Sequence, residues 1–222
     1  MFDQRFRNRT EAGVLLGAEL ARRYGRRADA LVLALPRGGV PVAFEVAQAL
    51  GATLDVFIVR KLGVPGQEEL AMGAIASGGV RVLNHDVIRY ASISQKVIDK
   101  VAESEEREVE RRERSYRGKR PPLEVANRTV FVVDDGLATG STMRAAIEAL
   151  RKMAAREVIV AVPVAARETC GEMRAEVDEI VCLRTPSPFQ AVGLWYEDFS
   201  QTSDEEVHEL LDRSFASPEN AS

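Results

Sequence analysis

An α/β fold, with a mostly parallel, twisted sheet covered by helices on both faces, is what this chain predicts, and three observations carry the prediction. Strand-length apolar stretches recur at Ala30–Leu35, Leu54–Val59, Thr129–Val133 and Glu157–Val162. Segments with apolar residues at helical spacing stand between them. Alternation of this kind needs crossover connections, which produce parallel strands buried on both faces. The bulk numbers agree with that class. A chain of 222 residues, 45% hydrophobic and 29% charged, with a mean hydropathy of -0.14, is an ordinary globular composition that excludes disordered, collagen-like and membrane chains. At this length about 70% of the unfolded surface can be buried, enough for a full core.

The elements follow in order. From Thr10 to Tyr24 the residues Val14, Leu15, Ala18 and Ala21 recur at helical spacing, with Thr10 expected as the N-cap. The strand Ala30–Leu35 is closed by Pro36-Arg37-Gly38-Gly39, and Val40–Leu50 returns to helical spacing. The stretch Leu54–Val59 ends at Arg60-Lys61 and opens into Leu62–Leu70, where Gly63, Pro65 and Gly66 oppose regular structure, so a mobile loop is expected there. Strands resume at Met72–Ala76 and Val80–Leu83, joined as a hairpin by Ser77-Gly78-Gly79. Between Asp86 and Arg117 lies a long polar helix whose pairs Glu103–Arg107, Glu108–Arg112 and Glu110–Arg114 stand four apart, over a narrow apolar stripe of Ile93, Val97 and Val101. Its interspersed glutamates favour a solvated face over a nucleic-acid arm ending in Arg117, Lys119 and Arg120. Pro121-Pro122 breaks the chain before strand Thr129–Val133 and a helix Ser141–Met153, and strand Glu157–Val162, a short helix and strand Glu179–Leu183 continue the alternation. The expected organisation is one domain over residues 1–200 with a helical insertion at about 86–117, then a C-terminal helix and tail over 201–222 that frays from Phe215 onward. The turns at Pro36, Lys61 and Asp134 are expected on one sheet edge, where parallel sheets bind ligands.

Several function classes are excluded early. A net charge of -4 and a pI near 5.5 provide no general field for a polyanion, so no nucleic-acid partner is expected. Cys170 and Cys182 are too few for a disulfide framework, lack metal-ligand spacing and serve as small apolar fillers in a reducing cytoplasm. With only His85 and His208, both expected at the surface, a multi-histidine zinc site or a serine–histidine triad has little to draw on. The start at Met1-Phe2-Asp3-Gln4-Arg5 lacks an apolar signal core, and the longest apolar run, Val158–Ala166, falls far short of the roughly 18 residues of a bilayer span, so no membrane association is expected. The G-x-x-x-x-G-K-[ST], G-x-G-x-x-G and G-x-S-x-G patterns are absent.

The chemistry concentrates in VFVVDDGLATGST, residues Val130–Thr142. A strand end presents two adjacent carboxylates rigidly, and Thr139, Gly140, Ser141 and Thr142 put backbone N–H groups and hydroxyls at the positive end of a helix. That is a phosphate cradle. Carboxylates placed just before it accept hydrogen bonds from sugar hydroxyls, so the two features together describe a ribose 5-phosphate. A plain Asp-Asp-Gly turn followed by a helix cap is the bland alternative.

The stretch is similar to the 13-residue phosphoribosyl-pyrophosphate (PRPP) motif of the type I phosphoribosyltransferases, with a strand before it and a helix after it as in that family. The resemblance extends over roughly Ala30–Asp198 and implies the type I phosphoribosyltransferase fold with a small hood. It implies Asp134 and Asp135 as catalytic residues and Ala138, Thr139, Gly140, Ser141 and Thr142 as the 5-phosphate site. Pro36-Arg37-Gly38-Gly39 resembles the pyrophosphate loop, in which a cis peptide is common, so Arg37, Gly38 and Gly39 are expected on pyrophosphate. Lys61 resembles the cation of the flexible loop that closes over the reaction centre. More loosely, Phe189–Phe199 resembles the hood of hypoxanthine-guanine phosphoribosyltransferases, implying an acceptor site among Phe189, Trp195, Tyr196 and Asp198. The implied reaction transfers the 5-phosphoribosyl group of PRPP to a nitrogen acceptor, foremost a nucleobase, in cytoplasmic nucleotide metabolism. Magnesium (Mg2+) enters mainly through PRPP and water, with Asp134 and Asp135 the protein groups open to it. The partners are PRPP and a small-molecule acceptor, and the long helix, expected as hood or dimer surface, leaves a homodimer open. A PRPP-sensing regulator of the same fold that binds RNA or DNA is the rival.

Two departures from the family pattern matter. Gly136 stands where a larger aliphatic residue is usual and adds backbone freedom. Ala138 stands where some purine-transferring relatives carry an aspartate that accepts a proton from the incoming base. Alanine cannot, so either Glu197 or Asp198 does that work or the acceptor reacts without a protein base; the second is expected.

Overall fold

The computed structural model describes residues 5–27 and 29–216. In chain order the elements are α1 (Arg9–Tyr24), β1 (Ala30–Ala34), α2 (Gly39–Leu50), β2 (Thr53–Val56), β3 (Val59–Val64), β4 (Gln67–Ala76), β5 (Val80–Leu83), α3 (His85–Tyr90), α4 (Gln95–Arg117), β6 (Thr129–Val133), α5 (Ser141–Lys152), β7 (Glu157–Val164), α6 (Arg167–Met173), β8 (Glu179–Arg184) and α7 (Asp204–Phe215). Five strands form a wholly parallel sheet in the order β2-β1-β6-β7-β8. Alternate side chains of each strand feed two cores. Val32, Ala34, Phe131, Val133, Ile159 and Ala161 face α1, α2, α4 and α7, while Leu31, Leu33, Val130, Val132, Val158 and Val160 face α5 and α6. Cys170 and Cys182 join the second core as apolar filling.

The strands and helices of this sheet stand where the hydrophobic pattern puts them, except that the stretch Leu54–Val59 is split between β2, which ends at Val56, and β3 of a second sheet, which starts at Val59; three neighbouring expectations are also corrected. Asn8, not Thr10, caps α1: its side chain accepts from the Glu11 N–H at 2.9 Å, placing the helix start two residues earlier. The segment Leu62–Leu70 is no loop. Pro65 and Gly66, the latter at φ 79°, form the tight turn between β3 and β4, which pair antiparallel from Val59↔Ala76 to Val64↔Gln67 and absorb Gly63 in a register shift. With β5 they make a second, three-stranded sheet. The residues that look like structure breakers are therefore the turn and bulge of a hairpin.

The long polar segment also divides. A cap on Asn84 starts the short α3, the chain turns at Ser92 with φ 51°, and α4 then runs from Gln95. Its glutamate–arginine pairs form as expected, but its buried stripe is Ile98, Ala102, Val109 and Tyr116, longer than the predicted one and set against the main core. At its end Arg117 grips the buried Asp55 of β2 through Nε and Nη2 at 3.0–3.1 Å. The helix is thus docked along its length. No helix among the described residues is long and apolar enough to cross a membrane. The expectations placed on residues 1–4 and on the tail 217–222 lie outside the described residues, while Phe215 closes α7.

Candidate active site

Strand order reverses between β1 and β6, because the chain leaves β1 toward β2 and leaves β6 toward β7 on the other side. Ala34 lies opposite Val133, and Leu35 N–H donates to the Val133 carbonyl at 2.9 Å, so the loops after β1 and β6 leave the sheet side by side. Pro36-Arg37-Gly38-Gly39 rests directly on the acid pair. A Cβ on Gly39 would stand 2.7 Å from the Val133 carbonyl and 3.0 Å from Asp134 Cα, and one on Gly38 would overlap Asp135 Oδ2, so only glycine permits this approach. The Pro36–Arg37 peptide is cis. Arg37 itself is half-exposed, with Nη1 at 3.7 Å from Asp204 Oδ1 of α7.

Both acids are closely enclosed by protein. Burial, and then the negative charge of Asp135, push the Asp134 carboxyl well above the usual carboxylate range, and its Oδ1 accepts from the Asp135 N–H at 2.8 Å. Burial also raises Asp135, opposed by Arg9, whose Nε lies 2.8 Å from Oδ2. The loop that follows is tied from behind. Leu137 bridges to β7 through Leu137 N–H to Val164 O at 2.9 Å and Ala166 N–H to Leu137 O at 2.8 Å. Thr169 Oγ1 donates to the Ala138 carbonyl at 2.6 Å, and Arg144 Nη1 donates to the Thr139 carbonyl at 2.8 Å. With these carbonyls held, Gly140 takes φ 75° and α5 starts at Ser141, leaving Ala138, Thr139, Ser141 and Thr142 exposed at its N-terminus.

Ser141 and Thr142 open onto a cavity of about 720 Å³ beneath the second sheet, which Lys61 of β3 also lines. The two acids and Arg37 do not line it. The structure therefore places the predicted residues in two adjoining groups: Lys61 with the start of α5, and Asp134, Asp135 and the Arg37–Gly39 loop at the β1–β6 switch point. Lys61 stands on a strand opposite Ala74, its Nζ 3.5 Å from Glu69 Oε2.

The hood is a composite wall. Phe6 and Tyr196 pair in an isolated bridge, with Phe6 N–H to Trp195 O at 2.9 Å and Glu197 N–H to Phe6 O at 2.8 Å. Phe189 and Trp195 are half-buried against Phe6, Ala12, Val164 and Tyr196. Tyr196 is buried, its ring lies between Phe6 and Phe199, and its hydroxyl donates to the Asp135 carbonyl at 2.5 Å. It supports the acid loop from behind, a different task from acceptor stacking. Glu197 and Asp198 are exposed, and the Ser200 N–H holds the Asp198 carboxyl below its usual range. Gly136 has a physical reason, since a Cβ there would run into Val192 of the hood. No local sequence pattern marks Arg9 or Phe6, whose partners Asp135, Ser200 and Tyr196 lie more than a hundred residues away.

Residues 16–197 match the phosphoribosyl transferase domain model. The chain belongs to the phosphoribosyltransferase family. It is 46% identical over 209 residues to two Mycobacterium tuberculosis proteins, "Putative phosphoribosyl transferase MT0597" of strain CDC 1551 / Oshkosh and "Putative phosphoribosyl transferase Rv0571c" of strain ATCC 25618 / H37Rv. That similarity covers 94% of this chain and 47% of theirs, so the chain spans about half the length of these relatives. The crystal structure of TT1426 from Thermus thermophilus superposes with a TM-score of 0.83 at 43% identity, covering 93% of this chain and 97% of that one. The five-stranded parallel sheet with its helices is thus the phosphoribosyltransferase fold, and Phe6 and Arg9 lie before its matched stretch.

Proposed function

We propose that this phosphoribosyltransferase domain moves the 5-phosphoribosyl group from PRPP to a nitrogen acceptor, foremost a nucleobase, and releases pyrophosphate. One observation carries the reading: the glycine loop after β1 rests on the acid pair at the sheet's switch point, and the short loop that follows the acids leads directly into the exposed N-terminus of α5. In this reading the amides and hydroxyls of residues 138–142 hold the 5-phosphate, and Gly38 and Gly39 let backbone amides reach pyrophosphate. Asp134 and Asp135 accept the ribose hydroxyls and favour positive charge on the ring as the C1–oxygen bond breaks. Pyrophosphate departs with that electron pair, met by Arg37 and Lys61, while the acceptor nitrogen bonds to C1 and gives up its proton to water. The exposed Glu197 and the tied Asp198 favour an acceptor that needs no protein base.

Magnesium fits the donor set. Two carboxylates beside the pyrophosphate loop are hard oxygen ligands, which suit an ion that shares its coordination with substrate oxygens and water. Asp134 and Asp135 would be the protein's contribution, and the bound ion would offset charge on the leaving pyrophosphate.

The test has two stages. Calorimetry should show PRPP with magnesium binding more tightly than ribose 5-phosphate, since the shorter ligand cannot use the pyrophosphate loop; equal affinities would remove that loop's assignment. A screen of purines, pyrimidines and small amines for PRPP-dependent pyrophosphate release then identifies the acceptor.

A further inference from the structure

We propose that Arg9 is a positioning residue for ribose recognition: it holds one carboxylate oxygen of Asp135, so that the other is presented to the ligand. The inference rests on the PRPP reading above and adds a residue that precedes the matched stretch 16–197.

Arg9 lies 126 residues from Asp135 in sequence, yet its Nε donates to Asp135 Oδ2 at 2.8 Å, with the two side chains only 12% and 15% exposed. An ion pair so enclosed is little screened, unlike the solvent-exposed pairs Glu103–Arg107 and Glu110–Arg114 along α4. The guanidinium is fixed at two further points. Its Nη1 donates to the Ser200 carbonyl at 2.6 Å, and its Cζ lies over the Phe199 ring, 3.9 Å from the centroid. Bond, carbonyl and ring together require a planar fork, which lysine does not offer. The start of α1 is itself held by the Asn8 cap.

The acid is constrained to match. Tyr196 Oη donates to its backbone carbonyl, and the Gly38 backbone lies against Oδ2. With Arg9 and Gly38 both on Oδ2, a ribose hydroxyl is directed to Oδ1. Arg9 touches the acid and not the reacting atoms, so its role is to aim Asp135 and to couple that aim to the hood through Ser200 and Phe199.

The experiment compares wild type, Arg9→Met, Arg9→Lys, Asp135→Asn and the Arg9→Met/Asp135→Asn double variant by calorimetry with magnesium–PRPP and with inorganic pyrophosphate. Arg9→Met should weaken PRPP binding about tenfold or more, the scale of one charge-assisted hydrogen bond, and leave pyrophosphate within about twofold. Arg9→Lys should recover part of the loss. The double variant should bind PRPP no worse than Asp135→Asn alone, because without the carboxylate there is nothing left to aim. Phe199→Leu, which removes the stack and keeps the hydrogen bond, should stay within a few-fold of wild type and supplies a folded comparison if Arg9→Met is unstable. Equal losses for PRPP and pyrophosphate, or additive losses in the double variant, would overturn the proposal and leave Arg9 a purely structural strut. Wild-type protein that takes up no PRPP would overturn the functional reading and this inference with it, whereas wild-type binding matched by Arg9→Met would overturn the inference alone.

Discussion

Residues 134–142 take their positions inside one strand–loop–helix unit, whereas the wall facing them joins residues 6–9 to residues 189–200. On the first side the constraints are near at hand: β6 ends, Gly140 turns, α5 begins, and β7 and α6 tie the carbonyls behind. On the second, Arg9 reaches Ser200 across 191 residues, and Phe6 bridges Tyr196 from the opposite end of the chain. In the proposed reading the local side is the one that meets PRPP, whatever the acceptor. The composite side belongs partly to residues outside the matched stretch, so a change at Phe6 or Arg9 acts on the hood and, through Arg9, on Asp135.

The largest effect should come from breaking the local side. Replacing Asp134 and Asp135 together with Asn should keep the fold and weaken PRPP binding by a few kcal/mol, about a hundredfold or more, on the scale for lost charge-assisted hydrogen bonds. Calorimetry beside a circular-dichroism melt checks it, and unchanged affinity would remove the acids from the ribose site. Lys61→Ala should follow, lowering kcat by about tenfold to a hundredfold while PRPP affinity moves less, because charge on departing pyrophosphate is met mainly in the transition state. Normal turnover with a pure binding defect would place Lys61 on the ground-state ligand instead.

The same contrast governs what the sequence made legible. VFVVDDGLATGST could be read because a strand, an acid pair and a helix start are local events whose residue types follow from local physics. The parallel sheet could be read because strands buried on both faces are apolar throughout. Pro65-Gly66 misled, since the pair that ends a loop also makes a hairpin turn, and only the pairing of Val59–Val64 with Gln67–Ala76 separates the two. Tyr196 was less legible for another reason: an aromatic cluster near a site reads equally well as a stacking platform or as packing, and the bond from its hydroxyl to the Asp135 carbonyl leaves no mark in the sequence. Arg9 left no trace, because a single arginine near an N-terminus carries no spacing signal.

Gly136 is where the two sides touch, and Gly136→Val sharpens the comparison. The added Cβ would collide with Val192, so the variant should lose about 1–3 kcal/mol of stability in denaturant titration, the usual cost of overpacking. Val192→Ala in the same chain should return much of it. Independent, additive losses would mean that the acid loop and hood are not in packed contact.

The smallest effect isolates a single strut between the sides. Tyr196→Phe keeps the ring between Phe6 and Phe199 and removes only the hydroxyl that donates to the Asp135 carbonyl. The orphaned carbonyl lies in a closely packed crevice, so unfolding free energy should fall by about 1 kcal/mol. Because the strut supports the backbone of Asp135 and makes no ligand contact of its own, PRPP affinity should drop only a few-fold. Inorganic pyrophosphate should bind within about twofold, because its loop rests on Val133, Asp134 and the Asp135 side chain, none of which the Tyr196 hydroxyl contacts. A comparable loss for pyrophosphate would show that the hood holds up the whole crevice, and the division between a local and a composite side would then fail.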